Sequence, residues 1–153
     1  MLIYLDNCCY NRPFDDLTQQ RIFLEAQAKI YVQEMIREHR IELVSSYVLS
    51  SENARNPYEL KRRAIQQFLE DNTAVYVDIT HSDEAEKIAA RILSSGIKPA
   101  DALHIACALM AKCDYFLTTD DRLLKYRADS MQIVNPIDFV SVIGGPEWII
   151  LKQ

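Results

Sequence analysis

The chain has 153 residues, 49% of them apolar and only three glycine, with 17 Lys and Arg against 22 Asp and Glu for a formal net charge of −5. That length suits a single domain over 1–153, able to bury about two-thirds of the surface its unfolded chain exposes, and the composition excludes disordered and collagen-like chains. The negative balance excludes a protein that coats nucleic acid through a global positive field, while a cation held by acidic groups still inverts the sign locally.

Leu2 to Leu5 is a short apolar run ending in Asp6, the signature of a buried strand at the start of the sequence. The run stops far short of a signal h-region, and no stretch approaches the roughly 20 apolar residues that cross a bilayer. A soluble, cytoplasmic protein without membrane contact is expected. A turn containing Pro13, Asp15 and Asp16 follows, then a long helix from Leu17 to Glu38 with Phe23, Ala26 and Ile30 at helical spacing.

Ile41 to Val44 reads as a second strand, leading through Ser45 and Ser46 into a short helix that carries Glu52 and ends before Pro57. Leu60, Ala64 and Phe68, four residues apart, predict another helix, with Lys61, Arg62 and Arg63 on its other face. Ala74 to Ile79 is a third strand. Ser82 or Asp83 caps the next helix, whose apolar face is Ala85, Ile88, Ala89, Ile92 and Leu93 and which Gly96 ends.

Pro99 suits a first helical turn, and the helix from Pro99 to Lys112 is apolar enough to be central. Asp114 to Thr119 is a fourth strand, followed by Asp120, Asp121 and a short helix from Arg122 to Lys125. Gln132 to Val134 is a fifth, before Asn135 and Pro136. Strands alternating with helices predict an α/β fold of right-handed crossovers around a parallel sheet. Cys8, Cys9, Cys107 and Cys113 lack C-x-x-C spacing and read as reduced thiols rather than a zinc site or disulfide frame.

In an open parallel sheet, ligands bind at the C-terminal ends of the strands. Asp6 and Asp120 fall at such ends, Asp101 lies in the first turn of the central helix, and Glu52 sits on the helix after the second strand. Each alone has a plainer reading. Asp6 would cap a turn, Asp101 would complement a helix dipole, and Asp120 or Asp121 would cap the short helix. Taken together, a carboxylate cluster is costly without a cation, and hard oxygen donors suit Mg²⁺ or Mn²⁺, which keep several waters and leave room for a phosphate.

The segments Ile3-Tyr4-Leu5-Asp6, that around Glu52, Pro99-Ala100-Asp101-Ala102-Leu103-His104-Ile105-Ala106, and Phe116-Leu117-Thr118-Thr119-Asp120 resemble the PIN-domain nucleases, including VapC-type toxins of bacterial toxin–antitoxin pairs. The resemblance implies a three-layer sandwich with a central parallel sheet of about five strands. It also implies metal ligation by Asp6, Glu52, Asp101 and Asp120, and hydrolysis of RNA phosphodiesters. Asp121 is a substitute or fifth member of that set. The Thr-Asn or Ser-Asn that often follows the first Asp in the family is replaced here by Asn7-Cys8-Cys9. Asn7 is expected to take over part of that supporting role, with Cys8 and Cys9 lining the site without ligating.

Thr118 projects to the same side of its strand as Asp120 and is expected either to orient a ligand or to bond backbone. His104, three residues after Asp101, shares its helix face and is expected behind the carboxylates rather than among them. Lys98 reads as a solvated lysine or a phosphate contact. The clusters Lys61 to Arg63 and Arg122, Lys125, Arg127 read as solvated faces or as guides for an RNA backbone. Tyr31 and Tyr58 are candidates for a homodimer or antitoxin interface, or for the rim of the core.

The resulting expectation is an Mg²⁺-dependent endoribonuclease with an RNA substrate, an antitoxin partner and a homodimeric state. Two alternatives stay open: a phosphatase or phosphotransfer domain on a doubly wound sheet, and a non-catalytic PIN-like scaffold that binds RNA or protein.

Overall fold

The structure, a computed structural model, describes residues 1–11 and 19–146. Pro13, Asp15, Asp16 and the expected helix start at Leu17 lie outside the described residues. Five strands form one sheet: β1 (Leu2–Leu5), β2 (Glu42–Ser46), β3 (Thr73–Val77), β4 (Tyr115–Leu117) and β5 (Gln132–Val134). Every pairing is parallel, in the order β3-β2-β1-β4-β5. The chain therefore builds outward from β1 to β3, then returns across the centre to lay down β4 and β5. Between β1 and β4 the order reverses, and in such sheets that switch point opens a crevice at the strand ends.

Helices cover both faces. On one face α2 (Gln20–Arg37), α4 (Glu59–Asn72) and α8 (Pro136–Val142) pack over Ile3, Leu5 and Leu43. On the other, α5 (Ser82–Leu93) and α6 (Pro99–Met110) pack over Tyr4, Val44 and Phe116. The alternation of β1 side chains between the two clusters follows from the two-residue period of a strand. Each large apolar side chain buried this way contributes roughly 1.5–3 kcal/mol. The three-layer α/β architecture matches the expectation from sequence.

Several details differ. A one-and-a-half-turn helix, α1 (Asn7–Asn11), begins directly after β1. In α4 the buried residues are Ile65, Phe68 and Leu69, whereas Leu60 is 85% exposed and Ala64 is also exposed. In α2, Phe23 and Ile30 face solvent while Leu24, Ala28 and Val32 are buried. Strand β3 stops at Val77 because Asp78 accepts from Thr80 N at 3.0 Å and turns the chain into a 3-10 segment, Ile79–His81. Helix α5 then starts from that segment, with no side-chain cap from Ser82 or Asp83. Gly96, at φ +84, takes the left-handed conformation that ends α5. No helix among the described residues is long and apolar enough to cross a membrane.

Candidate metal centre

Asp6 is the residue after β1, and its N–H donates to Leu117 O at 2.9 Å, one step beyond the β1–β4 ladder. That bond fixes its backbone at the switch point. Its carboxylate is 6% exposed by residue and well held: Oδ1 accepts from Asn7 N at 2.7 Å, and Oδ2 accepts from Thr118 Oγ1 at 2.9 Å. Asp6 also precedes α1, and its carbonyl accepts from Cys9 N at 2.8 Å, so its negative charge lies at the start of that helix.

Asp120 follows β4 and caps α7 (Asp121–Leu124), its Oδ1 accepting from Arg122 N at 2.8 Å. Its own N–H donates to Thr118 Oγ1 at 3.1 Å. One buried hydroxyl thus ties the carboxylate after β1 to the backbone that carries the carboxylate after β4. Asp121 does something else. Its carboxylate pairs with Arg21 of α2 at 3.0 Å, and the same guanidinium donates to Thr119 O at 3.3 Å, fastening α2 to the loop after β4.

Asp101 is the third residue of α6, half-buried near the helix start. Burial, then the charge of Asp6, and to a lesser extent those of Asp120 and Glu52, push its carboxyl up to about 6 from an ordinary 3.8 against the opposing pull of His104. Three other carboxylates are therefore felt at Asp101. Glu52 projects from α3 (Tyr47–Ala54), 19% exposed at its side chain, with Oε1 2.9 Å from His104 Nε2. The contact has the length of an ion pair but not the alignment of a hydrogen bond.

His104 is fully buried on α6, and its Nδ1 meets Tyr4 OH at 2.5 Å; Tyr4 OH in turn meets Ser46 Oγ at 2.7 Å. With Nε2 facing a carboxylate, the neutral ring carries its proton there and Nδ1 accepts from the tyrosine. Burial alone would depress His104. The Glu52 contact and the charges of Asp6 and Asp101 outweigh it and raise the imidazole above its ordinary value. A relay of buried groups therefore runs from Ser46 through Tyr4 and His104 to Glu52. The sequence alone does not single out Tyr4 or Ser46. A lone tyrosine in an otherwise aliphatic buried strand is the signal, because a buried phenol needs a partner.

Asn7 supports Asp6 through its backbone N–H, while the residue itself lines a cleft beside Glu52. Cys8 Sγ lies 3.4 Å from Asp6 Oδ2 and accepts from Thr119 Oγ1 at 3.1 Å; Cys9 Sγ donates to Leu117 O at 3.3 Å. The two thiols pack behind the aspartate. Lys98 is exposed before α6 and makes no side-chain cap.

Among the described residues, no three His, Cys, Asp or Glu side chains close into a ready ligand group. The carboxylates sense one another as charges without forming a cage. Oxygen donors spaced in this way fit a hard octahedral cation that keeps several waters, rather than the closed Cys and His shell of structural zinc. Asp6, Glu52, Asp101 and Asp120 are the residues that could hold it.

A family model for the PIN domain matches residues 3–129, which spans all four carboxylates. The chain belongs to the PIN-domain family. Among solved structures, one that this PIN domain resembles is the crystal structure of VapBC2 from Rickettsia felis bound to a DNA fragment from its promoter. The two share 9% identity and superpose with a TM-score of 0.59 over 88% of this chain and 98% of that one, a likeness of fold. No curated protein matches the sequence significantly.

Proposed function

We propose that this PIN domain is a divalent-metal-dependent endoribonuclease, the toxin half of a toxin–antitoxin pair, with Asp6, Glu52, Asp101 and Asp120 as the metal-holding residues. The observation that carries the reading is the state of Asp101: a half-buried carboxyl raised to about 6, first by burial and then by the repulsion of Asp6, Asp120 and Glu52. Such repulsion is relieved by a cation. Family membership and the fold likeness to a VapBC complex support the choice of nuclease and of an antitoxin partner.

A bound Mg²⁺ or Mn²⁺ supplies an acidified water and a counter-charge to the phosphate. The protein's part is positioning. Asp6 is fixed by Asn7 N and Thr118, and Asp120 by its cap on α7. Glu52 is held by a histidine that is itself held by Tyr4. Among the described residues Asp101 has no such clamp, and burial together with the charges of Asp6, Asp120 and Glu52 raises its carboxyl. Asp121, paired with Arg21, serves the loop rather than the ligand set.

Fluorescent single-stranded RNA should be cut in Mg²⁺ or Mn²⁺, and cutting should stop in EDTA, in Asp6→Asn and in Asp101→Asn with the fold retained. Equal cleavage in EDTA would sink the metal mechanism. A second copy of the chain belongs to the same reading, supported by the exposed Val75, Tyr76 and Ile79 along and beyond the open edge of β3. Light scattering on the purified protein decides it.

A further inference from the structure

A cleft of about 340 Å³ meets the acidic centre at Glu52, reaching from Asn7 and Glu52 to the turn between α3 and α4, where it is lined by Arg55, Asn56, Tyr58 and Lys61. We propose that this cleft is the docking site for one unpaired nucleotide next to the scissile phosphate, its base stacked on Tyr58 and its phosphate held by Arg55 and Lys61. The proposal rests on the ribonuclease reading above and names the residues that would seat its substrate beside the carboxylates.

Four observations carry it. The first is charge: in a chain of net charge −5, this cleft places two cations at the margin of the acidic centre. Arg55 is the residue capping the C-terminus of α3, three positions after Glu52 and so within a turn of it. Among the described residues its guanidinium meets only the neutral Ser51 hydroxyl, at 3.3 Å, and its charge is left for an anion.

The second is the aromatic. Tyr58 is 65% exposed, with Lys61 Nζ 5.0 Å from its ring centroid. An exposed ring with a cation against it offers a stacking surface.

The third is rigidity. Asn56 Oδ1 accepts from Tyr58 N at 3.0 Å, and Arg62 Nη1 donates to Asn56 O at 3.0 Å, so the turn is built from its own side chains and from α4. Asn53 adds a bond from its amide to Arg62 O at 3.0 Å. The platform is fixed before any ligand arrives.

The fourth is shape. The volume is at the lower end of small-molecule sites. A base reaches such a cleft only when splayed from its neighbours, because A-form duplexes present backbone and shallow groove instead. The chemistry therefore selects single strands.

The test is fluorescence anisotropy of a labelled, 2′-O-methylated RNA octamer, which resists cleavage, in Mn²⁺. Tyr58→Ala should weaken binding roughly tenfold or more, the loss of one base–aromatic stack. Tyr58→Trp should restore it, and Arg55→Gln should flatten the salt dependence of binding. The Mn²⁺-induced rise in melting temperature should be the same in Tyr58→Ala and wild type, which separates the cleft from the carboxylates. Unchanged RNA affinity in both variants, or equal affinity for the duplex form of the octamer, overturns the subsite while cleavage in Mn²⁺ would leave the nuclease reading standing. Absence of both the Mn²⁺ shift and RNA binding in the wild-type protein removes the two together.

Discussion

The hydroxyl of Thr118 donates to Asp6 Oδ2 at 2.9 Å and accepts from Asp120 N at 3.1 Å, so one side chain in β4's extension sets the spacing between the ends of two neighbouring strands. It is fully buried, and removing the oxygen would take the acceptor from Asp120 N and leave Asp6 Oδ2 with only the longer contact from Cys8 Sγ at 3.4 Å.

Thr118→Val keeps the shape and deletes that oxygen. The expected result is a loss of roughly 1–3 kcal/mol in stability, because buried polar groups are stranded, and about a 10–100-fold weaker metal response, as for other groups that orient ligands. Thr118→Ser should recover most of both. Urea unfolding and Mn²⁺ titration followed by melting temperature check the pair, and a normal Mn²⁺ response in the valine variant would refute the orienting role.

Asp101 gives a prediction with a sign. Its carboxyl lies at about 6 against an ordinary 3.8. The folded state thus holds that proton more tightly than the unfolded chain, and the resulting stabilisation is complete below about 4 and lost as pH rises to about 6. Asp101→Asn removes the penalty of the charged form. Without metal, the variant should melt above wild type at pH 7.5 and level with it at pH 4, as read by scanning fluorimetry. Lower stability than wild type at pH 7.5 would contradict the repulsion.

Divalent cations should act in the opposite direction to that penalty. Mn²⁺ is expected to raise the wild-type melting temperature at pH 7.5 and to do little at pH 4.5, where Asp101 is protonated, and EDTA should reverse the rise. The same addition should leave Asp6→Asn and Asp101→Asn nearly unmoved. A rise of equal size at both pH values would point to binding elsewhere.

The relay behind Glu52 is open to a conservative test. Tyr4→Phe keeps the ring, which stacks on Phe116 at 5.3 Å, but strands His104 Nδ1 and takes one partner from Ser46 Oγ, which keeps its bond from Leu49 N at 3.2 Å. Destabilisation of about 1–3 kcal/mol is expected from those buried groups. His104 is raised above its ordinary 6.5, so its stabilising contribution is present below 6.5 and fades as pH climbs through its higher folded value. Substituting His104→Gln should therefore cost most stability below pH 6.5 and less at alkaline pH. A cost independent of pH would show that the imidazole charge is not involved.

Much of the frame was readable in the residues, for reasons visible in the structure. Apolar runs bounded by polar residues located all five strands, since a sheet covered on both faces must be built from such runs. The places of Asp6 and Asp120 after strands and of Asp101 in a first helical turn were readable because such positions are marked by their neighbours. Helix α1 was not, because five residues are too few to show a period; it forms because Cys9 and Tyr10 are buried after Asp6 starts the turn. The α4 face was misplaced because Leu60, Ala64 and Phe68 share spacing with the true stripe only at Phe68, and Leu60 falls in the exposed first turn. Helix α8 carried a fair signal in Asn135 and Pro136, a capping residue followed by proline at N1. The partner of Asp121 lay 100 residues away on α2, and nothing local announces such a pairing.

The ladder bond from Asp6 to Leu117 and the hydroxyl of Thr118 join positions 112 apart for the pair Asp6 and Thr118. During synthesis the first strand leaves the ribosome long before the strand that completes its centre. Domains are made from the N-terminal end, and contacts of this separation wait for the later segment to emerge. A nascent chain that stops short of β4 has its first aspartate but neither the bond that fixes it nor the helix cap beside it. The relative placement of Asp6 and Asp120 is therefore a late product of folding, set only once β4 and the residues after it have docked beside β1.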